Sequence, residues 1–365
     1  MKSFDPKKIR ELIKNARSLP MGQTALDVLL EAVRLADLYQ LNQLSIEARY
    51  HLMYVARNTL RGDLLISAFN WSLAKFDQNP ELFHGRDLFW EYEMVIGQAS
   101  NLDAIPRTKI ESLVQDFSKR LQEYGHPDAN LLPLRCQRSI APDLGDYQLA
   151  QRVEDQLRLE FPSAYRYPRD LIEANHFLGN DKLILQTVSA LRPQDFALED
   201  YGSIMGNALL SLLRDGQEQE AIKASNRCLL TVDTNRCYYW HYGEIMKVFT
   251  LSGQINKAIS LYARCQNAIK PFTDPLTRLH LYLDTLVLLD RLLALDQKHL
   301  AVQLHHFDGP PAEEQGYNIE QLRNYYDGQC QLLAQRFDQR NGTTYFTAQI
   351  KERERLQSLA RPLKS

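Results

Sequence analysis

The chain lacks a long apolar run and an excess of either charge, and each lack removes a class of function. Its most apolar stretch, Leu281 to Leu295, is broken by Asp284, Asp290 and Arg291, short of the roughly 20 apolar residues that cross a bilayer. No membrane span is expected. Lys and Arg number 43 against 45 Asp and Glu, a formal net charge of −2, so no global field draws the chain to nucleic acid or to an anionic membrane. The opening residues, Met-Lys-Ser-Phe-Asp-Pro, lead into a charged amphipathic stretch rather than the apolar core of a signal peptide. A cytoplasmic location is expected.

Cysteine is scarce. Cys136, Cys228, Cys237, Cys265 and Cys330 are odd in number and show neither a Cys-x-x-Cys pair nor metal-ligand spacing. Reduced, mostly buried thiols and no metal site follow as expectations. Catalytic signatures are lacking too: no Gly-rich phosphate loop ending in Gly-Lys-Ser or Gly-Lys-Thr, no His-Glu-x-x-His and no Gly-x-Ser-x-Gly. The run Gly202-Ser203-Ile204-Met205-Gly206 has its serine misplaced and lies in a helical pattern, which makes it structural. No catalytic residue and no cofactor is assigned.

What is present is a folded, helical pattern. Hydrophobic residues make up 44% and charged residues 24% of the 365, enough apolar surface for a large core. Apolar residues recur at three- and four-residue intervals: Ile9, Leu12 and Ala16; Leu26, Leu29, Leu30 and Val33; Leu183, Leu185, Val188 and Leu191; Leu281, Leu283, Leu286, Leu289 and Leu293. No alternating strand pattern competes with them. The fold class expected is all-α.

A repeat organises the helices. The stretch beginning at Leu212 returns at Phe249, pairing Gly216 with Gly253, Ala221 with Ala258, Ile222 with Ile259, Arg227 with Arg264 and Cys228 with Cys265 at a 37-residue offset. Gly179 lies 37 residues before Gly216, and Gly145 a further 34 before that. Gly62 marks an earlier turn and Gly97 a weaker one. Such a glycine closes one helix in the left-handed conformation, and a polar residue then opens the next. Each unit is a helical hairpin that must stack on its neighbours to bury its apolar face.

These units resemble the tetratricopeptide repeat superfamily, whose helix pairs span about 34 residues. Gly145-Asp146-Tyr147, Ala150, Leu157 and Pro162 fall where that family has its turn, small residue, later packing residue and terminal proline. Gly62-Asp63, Ala74 and Pro80 repeat most of this. Tyr242, Ile245 and Phe249, and likewise Met205, Ala208 and Leu212, occupy first-helix core positions. The small residue of the family's first helix is replaced by Met246, Leu209, Ile172 and Arg138 in successive units. The resemblance implies a right-handed α-solenoid of stacked hairpins: degenerate hairpins over 1–124, a repeat core over 125–274, and extra C-terminal helices with a capping segment over 275–365. In that last segment, helices are expected over about Leu276 to Leu304, Asn318 to Arg336 and Phe346 to Leu359. The run Lys351-Glu352-Arg353-Glu354-Arg355 reads as a solvated helix face.

Carried over position by position, the family's concave first-helix sites are Arg135; Arg166, Arg169, Asp170, Glu173 and His176; Ser203, Asn207 and Leu210; and Trp240, Glu244 and Lys247. Mixed charge and an aromatic residue suit an extended peptide. The family's two-carboxylate clamp of Lys and Asn is not reproduced. The resemblance implies a scaffold or adaptor that holds a protein or peptide partner in its concave groove. Its alternatives are a peptide-responsive regulatory receptor or the non-catalytic subunit of an enzyme complex. An enzyme reading would combine Arg169, Glu173 and His176. RNA binding by helical repeats is argued against by the net negative charge and the varied inner positions.

Two further pairs draw a metal reading. His241 and Glu244 lie three apart on one helix, and His305 and His306 are adjacent, but neither pair has a third ligand, and solvent exposure is the expectation for both. In Tyr238-Tyr239-Trp240-His241-Tyr242 the side chains cannot all enter one seam. Tyr242 is expected in the core and Trp240 near the concave surface.

Overall fold

A computed structural model of the protein describes residues 5–83, 85–165, 168–192, 198–232, 239–268, 274–305 and 307–360. These residues are helical almost throughout. Their one strand pairing is a short antiparallel ribbon, His299–Leu300 against Tyr317–Asn318. The chain forms two compact units, residues 1–102 with 108–136, and residues 103–107 with 137–365.

The first unit carries α1 (Lys7–Ser18), α2 (Gln23–Leu38), α3 (Asn42–Asn58), α4 (Gly62–Gln78), α5 (Gly85–Ser100) and most of α6 (Arg107–Glu123). The apolar stripe of α1, Ile9 and Ile13, packs on Ala32, Leu35 and Ala36 of α2 and Leu44 and Ala48 of α3. Phe69, Tyr92 and Phe117 form an aromatic stack, with centroids 4.8 and 5.2 Å apart. Helix α7 (Leu131–Ile140) spans the division between the units.

The second unit follows with α8 (Tyr147–Glu160), α9 (Pro162–Tyr165), α10 (Pro168–Phe177), α11 (Asp181–Ala190) and α12 (Leu198–Met205). A 3-10 turn, Gly206–Ala208, leads to α13 (Leu209–Arg214), α14 (Glu218–Val232), α15 (Tyr239–Leu251) and α16 (Ile255–Ala268). The last helices are α17 (Pro275–Ala294), α18 (Ile319–Asn341) and α19 (Tyr345–Leu356). Helix α10 packs on α11, α13 on α14, and α15 on α16, while α15 also lies against α13, α14 and α17.

The turns between these partners have the expected chemistry. Gly145, Gly179, Gly216 and Gly253 all have positive φ, between 60° and 77°. In each case the next residue's N–H donates to a carbonyl five residues back: Asp146 to Ala141, Asn180 to Asn175, Gln217 to Leu212 and Gln254 to Phe249. That bond satisfies a carbonyl the helix end would otherwise orphan. Asp146 and Asn180 then cap the following helices by accepting from Leu149 and Leu183.

The earlier glycines behave differently. Gly62 is the first residue of α4 and Gly97 lies inside α5. The left-handed residue of the α3–α4 turn is Leu60, at φ 58°, and Arg61 makes the same five-back bond to Ala56. The motif is thus retained without glycine, at the steric cost a side chain has in that region. At Gly62 a Cβ would sit 2.7 Å from the Gln98 side chain, which would have to shift. Ala74, expected to pack, is exposed.

After residue 275 the boundaries shift. The helix expected to reach Leu304 stops at Ala294, where Asp296 takes φ 57° and Gln297 donates back to Leu292. Helix α18 is capped by the Asn318 side chain and runs on to Asn341. The charged helix α19 is a solvated face only in part: Lys351 and Arg355 are exposed, but Arg353 is buried and pairs with Asp327 at 2.8 Å and Asp290 at 3.6 Å. Beyond it, Leu356, Leu359 and Ala360 pack on Leu210, Leu251 and Val287. Cys136, Cys228, Cys265 and Cys330 are buried and form no disulfide among the described residues. Burial pushes the Cys228 thiol up to about 12, which removes its thiolate at neutral pH. Cys237 lies outside the described residues.

Candidate functional site

Helices α10, α15 and α17 and the Gly206–Ala208 turn converge on one polar cluster. Lys247 of α15 donates to Glu244 Oε1 at 2.7 Å, one turn away, and to Asp284 Oδ1 of α17 at 2.9 Å. All three side chains are about nine-tenths covered. One ammonium thus binds two carboxylates in a site where an isolated charge would be costly.

Two glycines make this approach possible. A Cβ on Gly243 would fall 1.7 Å from Asp284 Oδ2, and one on Gly206 would fall 2.9 Å from the His241 ring. Gly206 and Gly243 stand at the same 37-residue offset as the turn glycines. Small residues that allow a close approach thus stand three positions before Leu209 and Met246. Gly243→Ala is expected to destabilise the second unit by about 1–3 kcal/mol, the usual cost of overpacking. Chemical denaturation would measure it; a loss near zero would mean that Asp284 swings aside freely.

Three imidazoles surround the triad. His241 is fully buried, and burial lowers its pKa to about 3, with Glu244 opposing and Arg169 reinforcing the drop. His280 of α17 is lowered to about 4 by burial and by Lys247. His176 of α10 is lowered by burial as well, while Glu244 and a hydrogen bond with the Asn207 main chain pull the other way. All three are neutral at pH 7. Burial raises Asp284 to about 6 against the pull of Lys247. For Glu244 burial is outweighed chiefly by Lys247, which holds its carboxyl below the ordinary value. With Lys247 charged and both carboxylates ionised near pH 7.5, the cluster carries one net negative charge.

The cluster also holds unused hydrogen-bonding capacity. Among the described residues, Glu244 Oε2 and Asn207 Nδ2 are buried and have no hydrogen-bond partner. One is an acceptor and the other a donor. Glu173, half-buried one turn before His176, has its carboxyl raised by burial, with Arg169 and Arg138 countering.

The positions read from sequence fall out unevenly. His176, Asn207, Glu244 and Lys247 are brought together, with Glu173 and the exposed Arg169 electrostatically linked to them. Arg135 is exposed on α7 within the first unit. Arg166 lies outside the described residues, as does the side chain of Trp240, whose backbone opens α15. Tyr242 is in the core as expected. His241 and Glu244 do not face solvent: both are buried, because α17 and the Gly206 turn cover them. His305 is exposed, and His306 lies outside the described residues.

His280 and Asp284 had no place in the sequence reading of the site. Asp284 did leave a signal, being a charge inside an otherwise apolar run. A buried carboxylate demands a cation, and Lys247 stands one repeat offset earlier. His280 left none.

No family model matches the chain, and no curated protein does. Among the described residues no group of three or more His, Cys, Asp or Glu is arranged to hold a metal ion. No helix among them is long and apolar enough to cross a membrane.

Proposed function

We propose that the second unit is a peptide-binding module, an adaptor that takes an extended polypeptide segment against α10, the Gly206–Ala208 turn, α15 and α17. The observation that carries this reading is the pair of buried, unpartnered groups, Asn207 Nδ2 and Glu244 Oε2. An extended chain presents main-chain carbonyls and N–H groups at every residue, and this donor and acceptor match them. Leaving either group dry and unpaired costs about 1–3 kcal/mol, a cost that a bound main chain removes.

In this reading the hairpins stack as a right-handed, tetratricopeptide-like α-solenoid whose concave face is the binding face, and the protein works in the cytoplasm without a cofactor. The negative cluster favours a segment with a Lys or Arg side chain near Glu244. The mixture of neutral imidazoles and one bound ammonium argues for main-chain recognition over capture of a single phosphate, which would require clustered cationic donors.

Panning a displayed random-peptide library on the purified chain tests the reading. Expected is a family of extended peptides with roughly micromolar Kd. Asn207→Ala and Glu244→Gln should each weaken them at least about tenfold, one lost hydrogen bond with a charged or buried partner, with the circular-dichroism melt preserved. Failure to enrich any peptide, or binding indifferent to both variants, would refute it.

A further inference from the structure

The first unit contains a cleft that the peptide reading does not use. Its volume is about 900 Å³, within the range of small-molecule sites. Its walls are mainly apolar: Leu19 at the end of α1, Met21, Ala25 and Leu29 at the start of α2, and Val55 of α3. The exposed rings of Tyr54 and Trp90 stand at its side.

Polar groups gather at one place in this wall. Tyr50 of α3 and Asp87 and Glu91 of α5 all line the cleft. Glu91 is only 4% exposed, and its Oε2 makes no hydrogen bond among the described residues; neither does the buried Tyr50 hydroxyl. The nearest cation is Arg57, whose Nη1 is 3.7 Å from Glu91 Oε2, an ion pair too long to be a hydrogen bond. The Arg57 guanidinium lies 4.2 Å over the Trp90 ring. Arg17, the other cation of the cleft, is engaged by His51 at 2.9 Å and Glu47 at 3.5 Å.

Counting Glu47, Asp87 and Glu91 against Arg17 and Arg57, carboxylates exceed guanidiniums by one. Burial, followed by the charges of Asp87 and Glu91, raises the Tyr50 phenol. Burial likewise pushes the Glu91 carboxyl up to about 7, with Arg57 countering. Burial is the first cause of both shifts, and the neighbouring carboxylates add to them.

We infer that the cleft binds a small organic cation: an apolar body seated on Leu19, Ala25, Leu29 and Val55, with an ammonium directed at Glu91, Asp87 and the Tyr50 hydroxyl. The ammonium supplies the donors those oxygens lack, and the apolar body covers the exposed wall. The inference concerns the first unit and is independent of peptide binding by the second.

Calorimetric titration of the whole chain at pH 7.5 with octylammonium, octanol and octanoate tests it, because the three share a tail and differ in the head. Octylammonium is expected to saturate one site at least about tenfold more tightly than octanol, with octanoate not binding. Glu91→Gln should bring the ammonium to within about threefold of the alcohol, while Met21→Trp, at a half-exposed wall position, should abolish both. Both variants are checked by thermal melting. Equal or tighter binding of octanoate, an ammonium preference that survives Glu91→Gln, or absence of saturable binding by all three would overturn the inference. Should Met21→Trp fail to fold, the comparison of heads in wild type and Glu91→Gln decides alone.

Discussion

Replacing Lys247 by Met should cost the second unit about 3–5 kcal/mol of stability at pH 8, the size of effect seen when one partner of a buried ion pair is removed. Lys247 is the only ammonium bonded to Glu244 and Asp284 among the described residues. Without it, two carboxylates face each other in a covered site, and α17 must move or one of them must take a proton. The pH dependence fixes the cause. In the wild type Asp284 is already raised to about 6, so its proton is held more tightly in the folded than in the unfolded chain. Its contribution to stability is therefore present at low pH and is lost as pH rises through about 6. In Lys247→Met the Asp284 carboxyl shifts further upward and Glu244 loses the cation that holds it low, so the deficit should shrink toward pH 5 and grow toward pH 8. Urea unfolding at the two pH values reads both quantities. A deficit below about 1 kcal/mol, or one equal at the two pH values, would mean that the triad is solvated and of little energetic weight.

Arg138→Ala should be comparably severe. Arg138 and Glu154 are both buried, 8% and 2% exposed, and join α7 to α8 in a two-pronged pair with Nη2 to Oε2 at 2.8 Å. Asp170 of α10 stands 3.8 Å from the same guanidinium. Truncation leaves the Glu154 carboxylate dry and unpaired, a loss of about 3–5 kcal/mol. Arg138→Leu combined with Glu154→Leu should recover most of it, because an apolar pair of similar volume removes the desolvation along with the bond. Thermal and urea denaturation of the single and double variants would check this. A double variant as unstable as Arg138→Ala would show instead that the guanidinium is needed for Asp170 or for packing.

These two sites mark the limit of what sequence pattern reveals here. The turn glycines at 145, 179, 216 and 253 were legible because left-handed backbone is strongly selective for glycine. The same geometry at Leu60 was not, since no residue type announces it. Core positions such as Tyr242, Ile245 and Phe249 follow from the places that the resemblance gives them. Arg138 stood out as an oddity in a slot for a small residue, and only its partner Glu154 on the next helix explains it. The candidate positions on α10 and α15 could be carried over from the repeat register. Their burial could not, because His241 and Glu244 are covered by the Gly206 turn and by α17, elements distant in the chain. One position of the C-terminal charged helix misled for the same reason: Arg353 looks solvated along its own helix and is neutralised by Asp327 and Asp290 of α18 and α17.

Hydrogen–deuterium exchange of the whole chain, with and without a library-selected peptide, tests the central claim most directly. Peptide binding against the polar cluster predicts added protection in residues 168–177, 204–208, 239–251 and 275–284, all of it lost in Asn207→Ala. Protection confined to the first unit, or absent from α10 and α15, would contradict it.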